Sequence, residues 1–241
     1  MNIKKHIPNI ITLLNLFCGC IAVIYVAECR FDYAFLFVSL GIFLDFFDGF
    51  FARLFKVSSP LGLQLDSLAD MVTSGVVPGF VMFQMFQGHE YDPKLISIYS
   101  TFGFIITLGA CYRLANFNID TRQTDSFIGL PTPANALFIL SLPLISQTFQ
   151  DDNFSGIIYS KWALVTITLI SAYIMNAEIP LFSLKIKSFN MKDNLLQIVF
   201  LTISVALIGF LQFLGVAIVI LFYVLLSVLM NIFKKKQESN F

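Results

Sequence analysis

Leu44-Asp45-Phe46-Phe47-Asp48-Gly49-Phe50-Phe51-Ala52-Arg53, followed closely by Gly62-Leu63-Gln64-Leu65-Asp66-Ser67-Leu68-Ala69-Asp70, sets charged side chains in an otherwise greasy part of the chain. A charge at mid-bilayer costs about 3 kcal/mol on insertion scales, so these residues are expected to face a polar cavity or to lie near the membrane boundary. On a helix, a spacing of three separates Asp45 from Asp48 by about 60° around the axis, and a spacing of four separates Asp66 from Asp70 by about 40°. Each helix therefore presents a pair of carboxylates on one face. The short connection makes the helices antiparallel neighbours whose pairs meet near one end.

Outward from these stretches the chain stays apolar. Of 241 residues, 57% are apolar and 12% charged, with a mean hydropathy of +0.82, well below the roughly 25% charged residues of soluble domains. The expected fold is all-α: a polytopic transmembrane helical bundle of about eight spans, near 10–27, 33–54, 63–86, 95–116, 134–149, 157–175, 195–210 and 213–233. The last two share one apolar run divided only around Gly209, Gln212 and Gly215, and a single over-long helix there would leave seven. Placing both termini in the cytoplasm puts Lys4, Lys5, Arg53, Lys56, Arg113, Arg122, Lys185, Lys187, Lys192 and Lys234 to Lys236 inside. Only Arg30, Lys94 and Lys161 then fall outside, the asymmetry expected of cytoplasmic loops. Tyr33, Tyr99, Tyr159, Trp162 and Tyr173 fall near span ends, where amphipathic rings favour the interface. One membrane-embedded catalytic domain is expected over residues 1–233, with a short basic cytoplasmic tail at 234–241.

Fifteen basic and fifteen acidic residues balance, so no global field draws the chain to nucleic acid. Cys18, Cys20, Cys29 and Cys111 lack zinc-like spacing with His6 and His89, and read as small hydrophobes. Lys4 and Lys5 followed by an apolar run to Ala27 read as a retained first span rather than a cleaved signal, because apolar segments continue to the end. A multi-pass protein of the bacterial inner membrane is the expected placement.

Four carboxylates brought together repel one another unless cations bind or some are protonated. Oxygen-only ligands select hard ions, so Mg²⁺ or Mn²⁺ is expected, and Asp45, Asp48, Asp66 and Asp70 offer enough oxygens for two. Helix capping, or pairing with Arg53 and Lys56, could explain any one of the four. It does not explain all of them together with Gly49, Ala52 and Gly62. An ion transporter is the rival from another class, but its polar residues should cross the full membrane depth.

Asp45, Asp48, Gly49, Ala52, Arg53, Gly62, Asp66 and Asp70 fill every fixed place of D-x2-D-G-x2-A-R-x8-G-x3-D-x3-D, and the chain thereby resembles the CDP-alcohol phosphatidyltransferase family. The resemblance implies aspartates that bind two metal ions, with Asp70 also the proposed general base. It implies a CDP site at Gly49, Ala52, Arg53 and Gly62, with Arg53 suited to phosphate oxygens. Asn9, Thr12 and Asn15, at helical spacing after Pro8 in the first span, are further candidates for the nucleotide or, equally, for packing between helices. It also implies a homodimer.

Arg113-Leu114-Ala115-Asn116-Phe117-Asn118 and Phe127-Ile128-Gly129-Leu130-Pro131-Thr132-Pro133 look like segments of the phosphatidylserine synthases within the family, which usually carry Arg where this chain has Asn116. A looser likeness covers Ile174 to Lys185. The likeness spans roughly residues 5–190 and implies CDP-diacylglycerol as donor and L-serine as acceptor. Arg113 would meet the serine carboxylate and Glu178 its ammonium, near Gly129 and Pro131. Glycerol 3-phosphate or inositol phosphate is the alternative acceptor, although each should require more basic residues than Arg53 and Arg113.

Overall fold

The computed structural model describes residues 6–57, 59–88, 97–120, 128–149, 156–182 and 194–238. Expectations resting on Lys4, Lys5, His89, Lys94, Arg122, Phe127, Lys185, Lys187 and Lys192 lie outside the described residues. Among those described the chain is all-helical, with no strand beyond an isolated antiparallel bridge between Ile128 and Pro180.

Three helices build the N-terminal half. Helix α1 (Ile7–Ala27) starts on Pro8, whose missing N–H costs nothing in a first turn. It runs into α2 (Phe31–Phe55) through a tight reversal in which Cys29 takes a left-handed φ of 56°. At the far end of α2, Lys56 is also left-handed, and the Val57 N–H donates to the Ala52 carbonyl at 3.0 Å, a hydrogen-bonded helix stop made without glycine. The Ser59 hydroxyl then accepts from the Gly62 N–H at 3.0 Å and caps α3 (Pro60–Gln87), which Pro60 opens.

A wider π turn over Met71–Val76 interrupts α3 immediately after Asp70. Pro78 lies just beyond it and cannot donate back along the helix, which suits a local departure from α geometry.

Through a 3₁₀ turn at Ser100–Phe104 the chain enters α4 (Ile105–Ile119). Helices α5 (Thr132–Phe149) and α6 (Lys161–Asn176) follow, then the long segment α7 (Leu195–Glu238). That last segment folds back on itself. Gln212 has φ 48° and ψ −121°, a Cβ on Gly215 would lie 2.3 Å from the Leu207 carbonyl oxygen, and the Phe200 and Phe222 rings stack at 5.9 Å. Residue numbers across these contacts sum to 422, so 195–211 runs antiparallel to 213–238. The division anticipated between Gly209 and Gly215 falls at Gln212.

Ala22, Val26, Ala34, Val38, Val77, Val81, Met82, Ile106, Ala110 and Ile139 are wholly buried where α1 to α5 meet. Small residues matter there because helices in lipid gain from close van der Waals approach rather than from escaping water. Gly103 shows how close: its Cβ would sit 2.4 Å from the Phe83 amide nitrogen of α3. Phe17, Phe43, Phe46, Leu68 and Phe210 point outward. Four stretches, Ile7–Ala27, Phe31–Phe55, Pro60–Gln87 and Leu195–Phe233, are long and apolar enough to cross a bilayer. Together with the outward apolar side chains they mark a membrane protein.

Candidate functional site

Helices α2 and α3 run antiparallel and bring their carboxylate pairs face to face. One oxygen from each of Asp45, Asp48 and Asp66 lies within 4.8 Å of the others. Asp70 lines the same cavity but stands outside that group of three. Asp48 and Asp70 are buried, and Asp45 Oδ1 is buried without a hydrogen-bond partner. A set of hard oxygen donors with one oxygen left unsatisfied in the protein fits a divalent cation, which these three residues could hold.

Helix α1 reaches the cage from one side. The Thr12 hydroxyl donates to Asp48 Oδ2, and Asn15 Nδ2 donates to Asp70 Oδ1 at 3.1 Å. Asn9 lies higher on the same helix, where a Cβ on Gly62 would be 3.3 Å from its Oδ1. Gly62 is thus small because α1 and α3 nearly touch. By contrast, a Cβ on Gly49 would meet nothing nearer than the Arg53 guanidinium at 3.7 Å. The space over Gly49 belongs to a cavity, not to a packed neighbour.

Among the described residues, two cavities meet at the cage and a third lies beside them. The first, about 200 Å³, is lined by Asn9, Thr12, Asp48, Gly49, Ala52 and Gly62. The second, about 420 Å³, contains all four aspartates together with Arg53, Arg113, Pro131 and Thr132. Asp48, Gly49 and Asp66 wall both. A third, about 150 Å³, is bounded by Arg113, Asn116, Asp120, Asn176 and Glu178, and Arg113 joins it to the second.

Most sequence-predicted site residues converge on these cavities. Asn9, Thr12, Gly49, Ala52 and Gly62 line the first, whereas Arg53 is exposed at the second and Asn15 is wholly buried behind Asp70. Arg113 is 8% exposed, with Nε and Nη2 buried and unpartnered and its guanidinium 5.9 Å from the Phe117 ring. Pro131 lines the second cavity and Glu178 the third. Gly129 lines neither. Its N–H donates to the Ile179 carbonyl at 2.9 Å, its φ is +74°, and a Cβ would collide with the Met175 carbonyl oxygen at 2.4 Å. Gly129 therefore seats the segment entering α5 against the end of α6.

Sequence reasoning missed Thr73, Ser67 with Asn118, and Thr132. Thr73 Oγ1 donates to Asn15 Oδ1 at 2.8 Å, and Asn118 Nδ2 donates to Ser67 Oγ at 2.9 Å across α3 and α4. Thr73 follows Asp70 by three residues, so its helical spacing was the available signal. Thr132, buried with an unpartnered hydroxyl, stands between two prolines that draw attention to the backbone instead.

Membrane-length helices with a cluster of carboxylates beside two adjacent cavities define a class of membrane-embedded protein with a candidate divalent-cation site. The sequence comparisons supply the particular member of that class: residues 5–179 match the CDP-alcohol phosphatidyltransferase family, and the chain belongs to it. It is 31% identical over 200 residues to the CDP-diacylglycerol–serine O-phosphatidyltransferase of Helicobacter pylori, covering 81% of this chain and 80% of that one. The protein of the same name from Bacillus subtilis is 35% identical over 138 residues, covering 57% and 75%. A third, from Saccharomyces cerevisiae, is 32% identical over 158 residues, covering 57% and 53%.

Proposed function

We propose that this chain transfers the phosphatidyl group of CDP-diacylglycerol to L-serine, releasing phosphatidylserine and CMP at the cytoplasmic face of a bacterial inner membrane. The observation that carries the acceptor is Arg113, a buried guanidinium with two unpartnered nitrogens at the junction of the carboxylate cavity and the polar cavity of Glu178. A fixed planar cation with unused donors suits a carboxylate, and serine is an alcohol that carries one. The relatives' names support the same acceptor.

In this reading the cytidine and diphosphate occupy the cavity over Gly49 and Ala52, with Asn9 and Thr12 along its side and Arg53 at the phosphates. Asp45, Asp48, Asp66 and, at the edge, Asp70 hold Mg²⁺ or Mn²⁺, two ions at full loading. Bound metal supplies charge neutralisation on the diphosphate. The serine oxygen attacks the phosphatidyl phosphorus while Asp70 accepts the hydroxyl proton. The phosphorus–oxygen bond to CMP breaks as the new one forms, and CMP departs to the cytoplasm. Arg113 and Glu178 orient the zwitterion, so that most of the acceleration comes from positioning and fixed charge. The eight-span arrangement with both termini inside, the single catalytic domain over 1–233 and a homodimer complete the proposal.

Release of CMP by the purified enzyme tests it, with L-serine, glycerol 3-phosphate and inositol phosphate compared during Mg²⁺ and Mn²⁺ titration. Serine-dependent release that needs metal is expected. A requirement for glycerol 3-phosphate would sink the serine assignment.

A further inference from the structure

Asn15 and Thr73 have no place in either substrate cavity, yet both are wholly buried beside Asp70. An ionised carboxylate only accepts hydrogen bonds, so the Asn15 amide must turn its NH₂ toward Asp70 and its oxygen away. The oxygen needs a donor, and the Thr73 hydroxyl supplies it at 2.8 Å. Thr73 Oγ1 also lies 2.9 Å from the Ala69 carbonyl, which holds the hydroxyl between two acceptors. Helix α2 closes over the pair at Gly41, where a Cβ would stand 2.7 Å from Asn15 Oδ1 and 2.8 Å from Thr73 Cγ2. Neither side chain has room to swing away from that side. The π turn that begins at Met71 carries Thr73 itself, so the irregular backbone lies inside this arrangement.

We infer that Asn15, oriented by Thr73, is a positioning residue that holds Asp70 Oδ1 and leaves the other carboxylate oxygen directed at the reacting alcohol. The inference rests on the proposed role of Asp70 as proton acceptor. It assigns to the first helix a task distinct from nucleotide binding, and it separates Asp70 from the group formed by Asp45, Asp48 and Asp66.

Four variants of the full chain in detergent test it: Asn15→Ala, Asn15→Asp, Thr73→Val and Thr73→Ser. Turnover per folded enzyme is measured below each variant's melting temperature, alongside KM for both substrates and Mn²⁺ affinity by electron paramagnetic resonance. Losing a hydrogen bond to a charged group should slow kcat about 30-fold in the Asn15 variants, and Thr73→Val should slow it about 10-fold. Thr73→Ser, which keeps the hydroxyl, should stay within about twofold of wild type, with KM values and Mn²⁺ affinity shifted by no more than about threefold in Asn15→Ala and both Thr73 variants; Asn15→Asp adds a charge beside Asp70 and is read on kcat alone. Equal rates in Thr73→Val and Thr73→Ser would overturn the role, as would losses confined to melting temperature, to KM or to Mn²⁺ affinity. If wild type released no CMP with any alcohol, function and role would fall together; an active wild type with unaffected variants would overturn the role alone.

Discussion

The crossing of α1, α2 and α3 and the C-terminal hairpin are both helical and both apolar in composition, yet they are built on opposite terms. The apolar stretches of α1, α2 and α3 are 33%, 22% and 56% buried, against 17% for the hairpin, so the contrast is sharpest in α3. At the crossing, Gly19, Gly41 and Gly62 let backbones approach within contact of Thr73, Asn15 and Asn9, and buried polar groups bond across helices. The hairpin turns Phe210, Leu225 and Phe233 outward, Thr202 and Ser204 bond back to their own helix, and three other polar side chains hold the segment 180–182. Tyr223 Oη donates to the Phe182 carbonyl at 3.0 Å, Asn231 Nδ2 donates to the Pro180 carbonyl at 2.6 Å, and the Phe182 N–H donates to Ser227 Oγ at 3.3 Å. The family match also stops at residue 179. The candidate site therefore lies where helices meet closely, and the hairpin braces the segment that follows the cavity of Arg113 and Glu178.

Replacing a carboxylate at the crossing should have the largest effect. Asp66→Asn is expected to lower CMP release by about 10³-fold or more, and chelation followed by Mg²⁺ or Mn²⁺ should abolish and restore the wild-type rate. Persistence of CMP formation in Asp66→Asn would remove the cage from the mechanism. Next, Arg113→Ala should raise KM for serine about 30-fold or more while KM for CDP-diacylglycerol changes little, the cost of an unmade charge-assisted pair. Steady-state kinetics with each substrate varied in turn separates the two.

Gly129→Ala acts on the link between the regions. A left-handed φ and a collision with the Met175 carbonyl predict a loss of about 2 kcal/mol, read as a lower melting temperature in detergent. The smallest change belongs to the hairpin: Tyr223→Phe should cost about 1 kcal/mol and leave kcat per folded enzyme within about twofold. A fall in kcat of about tenfold or more would mean that the hairpin shapes the site rather than bracing it.

Much of the site was legible because helical geometry is regular. Spacings of three and four fixed the carboxylate faces, and Gly209, Gln212 and Gly215 marked the reversal in the last apolar run. The stripe Asn9, Thr12 and Asn15 was legible as a stripe but not in its partners. Each step of three residues turns about 60° back around the helix, so Asn15 faces about 120° away from Asn9. That drift carries the stripe from the cavity over Gly49, past Asp48 at Thr12, to the buried crossing at Asn15 and Thr73. The spacing of Thr73 from Asp70 was a weak signal, because a threonine in an apolar helix most often bonds its own backbone.

The sequence by itself determined that the chain is helical and membrane-suited, and that its aspartates fall as two pairs on two neighbouring helices, because composition and periodicity act locally. Only the tertiary structure decided which oxygens meet. Asp45, Asp48 and Asp66 group together while Asp70 turns to Asn15, because burial at a crossing of three helices, with glycines setting the approach, selects one partner for each polar atom.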